Sequence, residues 1–248
     1  MPTHPDPAVL YPEVAARGSL PAALRAIAAE RGLFIQVPEM ESSSLYGALV
    51  STTVAHRRSL EVSASRVERR WFIRGCERDQ DLALIEGDTL DLAQVVRAAQ
   101  AWHDGAGLDE FPEVAPFVKL TGRFEVPDRD PGQMVESEWQ HLRKEAAEVG
   151  WPEYHALIEA AYAEARLRKL YPFTSHWSLR FSTRTRPRLS REVRICLHPG
   201  HDQDYIVTMG YMGQDLGRTT TAEEAVLLAV RHLPANLNPV TVGTAGSS

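Results

Sequence analysis

Cysteine is scarce: Cys76 and Cys196 are the only two in 248 residues. Two are too few for a disulfide framework, so a reduced, cytoplasmic compartment is expected. Long apolar runs are missing as well. No segment approaches the roughly 20 apolar residues needed to span a bilayer. The opening stretch, MPTHPDPAVLYPEVAARG, has no apolar signal core. An excess of basic charge is also lacking. The net charge of −6 leaves no electrostatic footprint for DNA or RNA, and none that would draw the chain to an acidic membrane surface. Neither nucleic acid nor membrane is an expected partner. The G-x-S-x-G elbow, the P-loop, the H-E-x-x-H helix and a strand-linked G-x-G-x-x-G are all absent, and no cofactor is expected. What is present is ordinary for a folded protein, with 44% apolar and 24% charged residues. The length suits one large domain or two small ones.

The informative feature is an internal duplication. Residues 23–33, ALRAIAAERGL, resemble residues 141–151, HLRKEAAEVGW, at an offset of 118. Residues 58–63, RSLEVS, resemble 177–182, WSLRFS, at 119, and Arg74-Gly75-Cys76 matches Arg194-Ile195-Cys196 at 120. Each half then closes on a helical pattern, opened by Thr89 in the first and by the T-x-x-E box of Thr221 and Glu224 in the second. The expected fold is therefore α+β: two tandem helix–antiparallel-strands–helix repeats, packed as two-layer subdomains. The boundaries read as a loosely held N-terminal arm (1–18), a first repeat with crossover (19–126), a linker (127–136), a second repeat (137–243) and a disordered tail (244–248).

Local signals place several elements. Ser19 caps a helix that has Pro21 in its first turn and Gly32 at its end. A second helix is expected near Ser137, on an S-x-x-Q box with Gln140, and it ends at Gly150. Pro152 opens a third, whose apolar face is Tyr154, Leu157, Ile158, Ala161, Tyr162 and Ala165; Pro172 prevents its continuation. The run 176–184, HWSLRFSTR, alternates as a strand. Trp177, Leu179 and Phe181 share one face; His176, Ser178, Arg180, Ser182 and Arg184 share the other. Leu60, Val62 and Ala64 alternate in the same way. Further strands are expected at 70–74, 193–198 and 205–210, and 117–120 and 123–126 read as short strands or an extended crossover. GYMGQDLG reads as a turn region.

Candidate chemistry is thin. In the strand reading, His176 and Arg180 project from one face with Ser178 between them. Histidine suits proton transfer near neutral pH, and arginine holds anions bidentately. They are the candidate catalytic pair. Tyr171, Ser178, Arg184, Glu138 and His141 are the candidate substrate contacts. The plain alternative is a solvated sheet face. The arginines dense in both hairpins suit a phosphopantetheine, a CoA or an acidic substrate, or else they guard sheet edges. Cys196, His198, His201, Asp202 and Asp204 could hold zinc, or could simply decorate the Pro199-Gly200 turn; no metal ligand is assigned. Either cysteine could be a nucleophile beside its arginine, or could pack in the core.

The phrases AWHDG, APFVKLTGRFEVPD, ESEWQHLRKEAAE, WPEYHALIEAA and LYPFTSHWSLRFSTRTRP resemble an actinobacterial family of unknown function labelled "natural product biosynthesis protein". The resemblance runs from about Tyr11 to Gly243. It implies a role in secondary metabolism, and it carries over no fold, cofactor or catalytic residue. Two functional classes stay open. One is an accessory or tailoring protein acting on a small acidic or carrier-protein-bound intermediate without a redox cofactor. The other is a non-catalytic adaptor or chaperone-like module with a protein partner.

Overall fold

A computed structural model describes residues 5–38, 44–78, 80–200 and 204–244. All of the expected tail but Thr244 lies outside these residues. The chain forms two compact units, residues 1–121 and 122–248, and each is α+β.

The first unit opens with α1 (Pro7–Leu10), α2 (Pro12–Ala15) and α3 (Leu20–Glu30). Ser19 caps α3 by accepting from the Ala22 N–H at 3.2 Å. The strands β1 (Gly47–Val50), β2 (Leu60–Ala64), β3 (Trp71–Cys76) and β4 (Ala83–Thr89) follow. Next come α4 (Leu92–Asp104), α5 (Phe111–Val114) and β5 (Val118–Leu120). The sheet is antiparallel and ordered β1-β2-β3-β4-β5. Alternation sends Leu60, Val62, Trp71 and Ile73 into a core shared with Leu24 of α3 and Val95, Val96 and Trp102 of α4. Gly75 is required here, because a Cβ on it would sit 2.7 Å from the Trp102 ring. From residue 5 on, the N-terminal arm is not loose. Tyr11 and Val14 are buried in this core, and Arg69 binds Glu13 in a fork at 2.5 and 3.0 Å. The arm is poor in strong helix signals, yet one aromatic and one aliphatic side chain give it enough buried area to dock.

The second unit begins with α6 (Pro131–Glu148), α7 (Pro152–Ala163) and α8 (Ala165–Arg168). Strands β6 (Tyr171–Ser175), β7 (Ser178–Ser182), β8 (Ile195–Pro199), β9 (Tyr205–Met209) and β10 (Gln214–Thr219) form an antiparallel meander, closed by α9 (Ala222–Arg231). Helices α7 and α9 pack together and cover one face, while α6 runs along β6. The core joins Trp139, Leu157 and Ile158 to Leu179, Phe181, Ile195, Leu197, Val207 and Ala225.

Helix α6 opens well before Ser137. Asp130 accepts from the Gln133 N–H at 2.8 Å, and Pro131 occupies the first turn. An Asp cap followed by Pro outranks the S-x-x-Q box. Ser137 instead lies buried mid-helix, exchanging hydrogen bonds with the Phe124 N–H and C=O. In α4 the cap is Asp91 rather than Thr89. Segment 123–126 is not a strand, and the expected turn at GYMGQDLG contains the start of β10. That strand lies at the sheet edge, is bulged between Asp215 and Gly217, and buries none of its residues, so it shows no apolar alternation. Pro172 sits in edge strand β6, where a missing N–H is tolerated.

Helix, four-stranded meander and closing helix thus occur in both units. Gly32 and Gly150 end the matched helices with φ of 67° and 71°. The fifth strand breaks the correspondence. It follows the closing helix in the first unit and precedes it in the second. The offset accordingly grows from 120 at the cysteines to 132 between Thr89 and Thr221, which accommodates β10 and its turn.

Candidate functional site

The second sheet buries one face under helices. On β7, Leu179 and Phe181 enter the core, so Ser178, Arg180 and Ser182 point the other way. The same alternation turns Cys196 and His198 of β8 and Thr208 of β9 onto that outer face. Register places Arg180 opposite Cys196, and Cys196 opposite Thr208.

A hydrogen-bonded chain crosses these strands. Ser178 Oγ lies 2.7 Å from His198 Nδ1, and His198 Nε2 lies 2.9 Å from Thr208 Oγ1. Thr208 donates its single hydroxyl proton to the Gly210 carbonyl at 2.8 Å. Its oxygen can therefore only accept from His198, which puts the imidazole proton on Nε2. Nδ1 is left with a lone pair, and Ser178 donates to it. Burial holds His198 below its ordinary imidazole pKa, and the nearby Arg180 charge pushes the same way. The pair is a neutral base facing a hydroxyl.

Arg180 lies over the Phe173 ring at 5.1 Å. Among the described residues it has no carboxylate partner. Arg69, Arg70, Arg123 and Arg143, in contrast, are all ion-paired. A half-buried guanidinium in that state is a ready anion contact.

His176 does not project beside Arg180 from one strand. Ser175 pairs with Ser178, so His176 and Trp177 are the two residues of a tight hairpin turn, with φ of 50° and 63°. The hand of the sheet favours such primed turns, and they normally carry Asn or Gly. Aromatic packing offsets the strain. Trp177 meets Tyr154 edge-on at 5.3 Å, and His176 stacks on Tyr211 at 5.6 Å. Trp177 is consequently 43% exposed and does not share the core with Leu179 and Phe181 as alternation predicts.

Tyr171 and Glu138 are brought together in the interior. Glu138 binds Arg123 through a fork of 2.7 and 3.0 Å and is 4% exposed. Tyr171 is fully buried; burial first, then the Glu138 charge, pushes its phenol far above the ordinary value. Both act as packing and charge-pairing residues rather than as a pocket rim. His141 stands three residues along α6, half-buried. Arg184 is exposed, and its backbone bridges to Thr241.

Neither cysteine is an activated thiol. Burial pushes Cys76 up to about 11 and raises Cys196 as well, although Arg180 opposes the latter shift. Of the residues weighed for zinc, His201 and Asp202 lie outside the described residues. His198 is held by Ser178 and Thr208, and Asp204 lies 3.6 Å from Arg218. Among the described residues no three His, Cys, Asp or Glu side chains cluster to hold a metal. Among the described residues no helix is long and apolar enough to cross a membrane. Elsewhere in this unit an open groove of about 740 Å³ is lined by residues including Glu136, Arg166, Arg168 and Leu237, and by none of the predicted site residues.

Of this group the sequence names Ser178 and Arg180 as candidate site residues, weighs His198 only as a zinc ligand or a turn residue without assigning it, and does not single out Thr208. Period-two alternation along β8 and β9 was the available signal. It fixes the face of each residue, but not the register that brings them together.

Residues 133–244, which run from the first turn of α6 to the end of the described chain, match a family described as "Family of unknown function (DUF6193)". No curated protein matches the chain, and no solved structure does.

Proposed function

We propose that the second unit binds a small acidic molecule on the outer face of its sheet, with Arg180 as the anion contact and Ser178–His198 as the polar partner. The observation that carries this is Arg180: a half-buried guanidinium without a carboxylate partner among the described residues, next to a neutral imidazole. In the cell the molecule would be a free or carrier-bound intermediate of secondary metabolism, and the chain an accessory or tailoring protein of that pathway. The family resemblance of the long sequence phrases supports that context, and the scarcity of cysteine fits a reducing compartment such as the cytoplasm.

Titration calorimetry with a panel of small carboxylates, phosphates and acyl-pantetheine phosphates tests the binding step. At least one should bind the wild type, and Arg180→Ala should abolish that binding while leaving the melting temperature nearly unchanged. Equal binding by both proteins removes Arg180 from the site. Gene deletion with metabolite profiling tests the context, and an unchanged profile counts against it.

The adaptor reading draws on a different feature. Met212 is 86% exposed, and Tyr211 and Trp177 are 42% and 43% exposed on two turns. Such apolar tips suit a protein partner.

A further inference from the structure

We propose that Ser178 is a nucleophile and His198 its general base, so that the second unit transfers the acyl group of a small anionic ester or thioester to water. The choice of an anionic substrate rests on the Arg180 reading above; the nucleophile does not.

An isolated serine hydroxyl is a weak nucleophile, and it needs a base that is close, correctly oriented and unprotonated. His198 meets all three conditions. The 2.7 Å contact to Ser178 is within proton-transfer reach. Thr208, its own proton committed to Gly210, holds the Nε2–H and so fixes the tautomer that leaves Nδ1 free. The three side chains come from three adjacent strands, which makes the arrangement rigid. Burial and Arg180 both disfavour the imidazolium, so the base is available at neutral pH. The group behind the base is a hydroxyl rather than a carboxylate. An imidazolium formed during reaction therefore gets less support than in a Ser-His-Asp site, and a slow enzyme is expected.

The step balances as follows. Ser178 Oγ bonds to the acyl carbon while its proton passes to His198 Nδ1. The bond to the leaving oxygen or sulfur breaks, and that atom takes the proton from His198. Water then attacks the Ser178 ester, giving its proton to His198 and thence to Ser178 Oγ. The net reaction is hydrolysis, with no redox change.

Ser178 is only 3% exposed, so the probe must be small. Methanesulfonyl fluoride reacts with an activated serine to form the sulfonate ester and release HF. Intact mass should show one adduct per chain, and peptide mapping should place it on Ser178. Ser178→Ala should take up none. His198→Gln should label about 10²–10⁴-fold more slowly, the usual worth of a positioned base. The wild-type rate should fall as pH drops through the titration of His198, a dependence that a merely structural histidine would not produce. An unlabelled wild type, or an adduct mapped to another residue, overturns the proposal whether or not Ser178→Ala folds. Anion binding lost in Arg180→Ala without any labelling of the wild type would leave the binding reading standing and sink the nucleophile alone.

Discussion

Removing Arg123 should be among the most damaging single changes in the second unit, for an electrostatic reason. The Arg123 and Glu138 side chains are 11% and 5% exposed and joined by a two-bonded fork. Arg123→Ala leaves the Glu138 carboxylate in the interior beside the Tyr171 phenol, which cannot supply a positive charge. Breaking one partner of such a pair costs about 3–5 kcal/mol, whereas replacing both by apolar residues of similar volume is close to neutral or stabilising. Urea unfolding followed by circular dichroism should show the second unit's transition shifted by that amount in Arg123→Ala. Most of the loss should be recovered in the double variant Arg123→Met with Glu138→Met. A cost below about 1 kcal/mol for Arg123→Ala, the size typical of exposed pairs, would refute the reasoning. It would also return Glu138 to the list of groups free to meet a ligand.

Other outcomes follow from the same physics. Tyr11→Phe should cost about 1–3 kcal/mol by urea unfolding, because the hydroxyl sits among the Ser65, Glu68 and Arg70 carbonyls and accepts from the Arg70 N–H; no loss would mean that the arm is undocked. Cys76, pushed up to about 11, should present roughly one thiolate per thousand at pH 8, so a disulfide reagent should modify it only on unfolding. His198 binds its proton less tightly in the folded chain than at the ordinary value of 6.5. The unfolded chain therefore takes up more protons as pH falls below 6.5, and stability should decline from there down to the folded pKa. Above 6.5 that contribution is fully present, and in His198→Gln this part of the slope should vanish.

Much of the architecture was legible because it rests on local signals. Ser19 and Thr221 cap helices as their side chains allow, and Gly32 and Gly150 end them. Leu60, Val62, Leu179 and Phe181 alternate because one sheet face must be apolar. Illegible were the elements that local composition disguises. Strand β10 is polar and exposed, β6 contains Pro172, and Asp130-Pro131 competed with a plausible box at Ser137. The site was half legible for a related reason. Alternation assigned Ser178 and Arg180 their face, but His176 and Trp177 looked like strand residues because aromatic packing allows them in a turn that usually takes Asn-Gly. The partner of Ser178 stands 20 residues away, at His198. Only strand register makes them neighbours, and register depends on turn lengths that composition does not encode.

The pairing of Ser178 with His198 as nucleophile and base rests most directly on which imidazole nitrogen carries the proton. Proton–nitrogen correlation NMR of the ¹⁵N-labelled imidazole, assigned by its loss in His198→Gln, reports this without any ligand or substrate. At pH 7 the expected ring is neutral and protonated at Nε2, with Nδ1 accepting from Ser178. A ring protonated at Nδ1, or an imidazolium at that pH, would contradict that pairing.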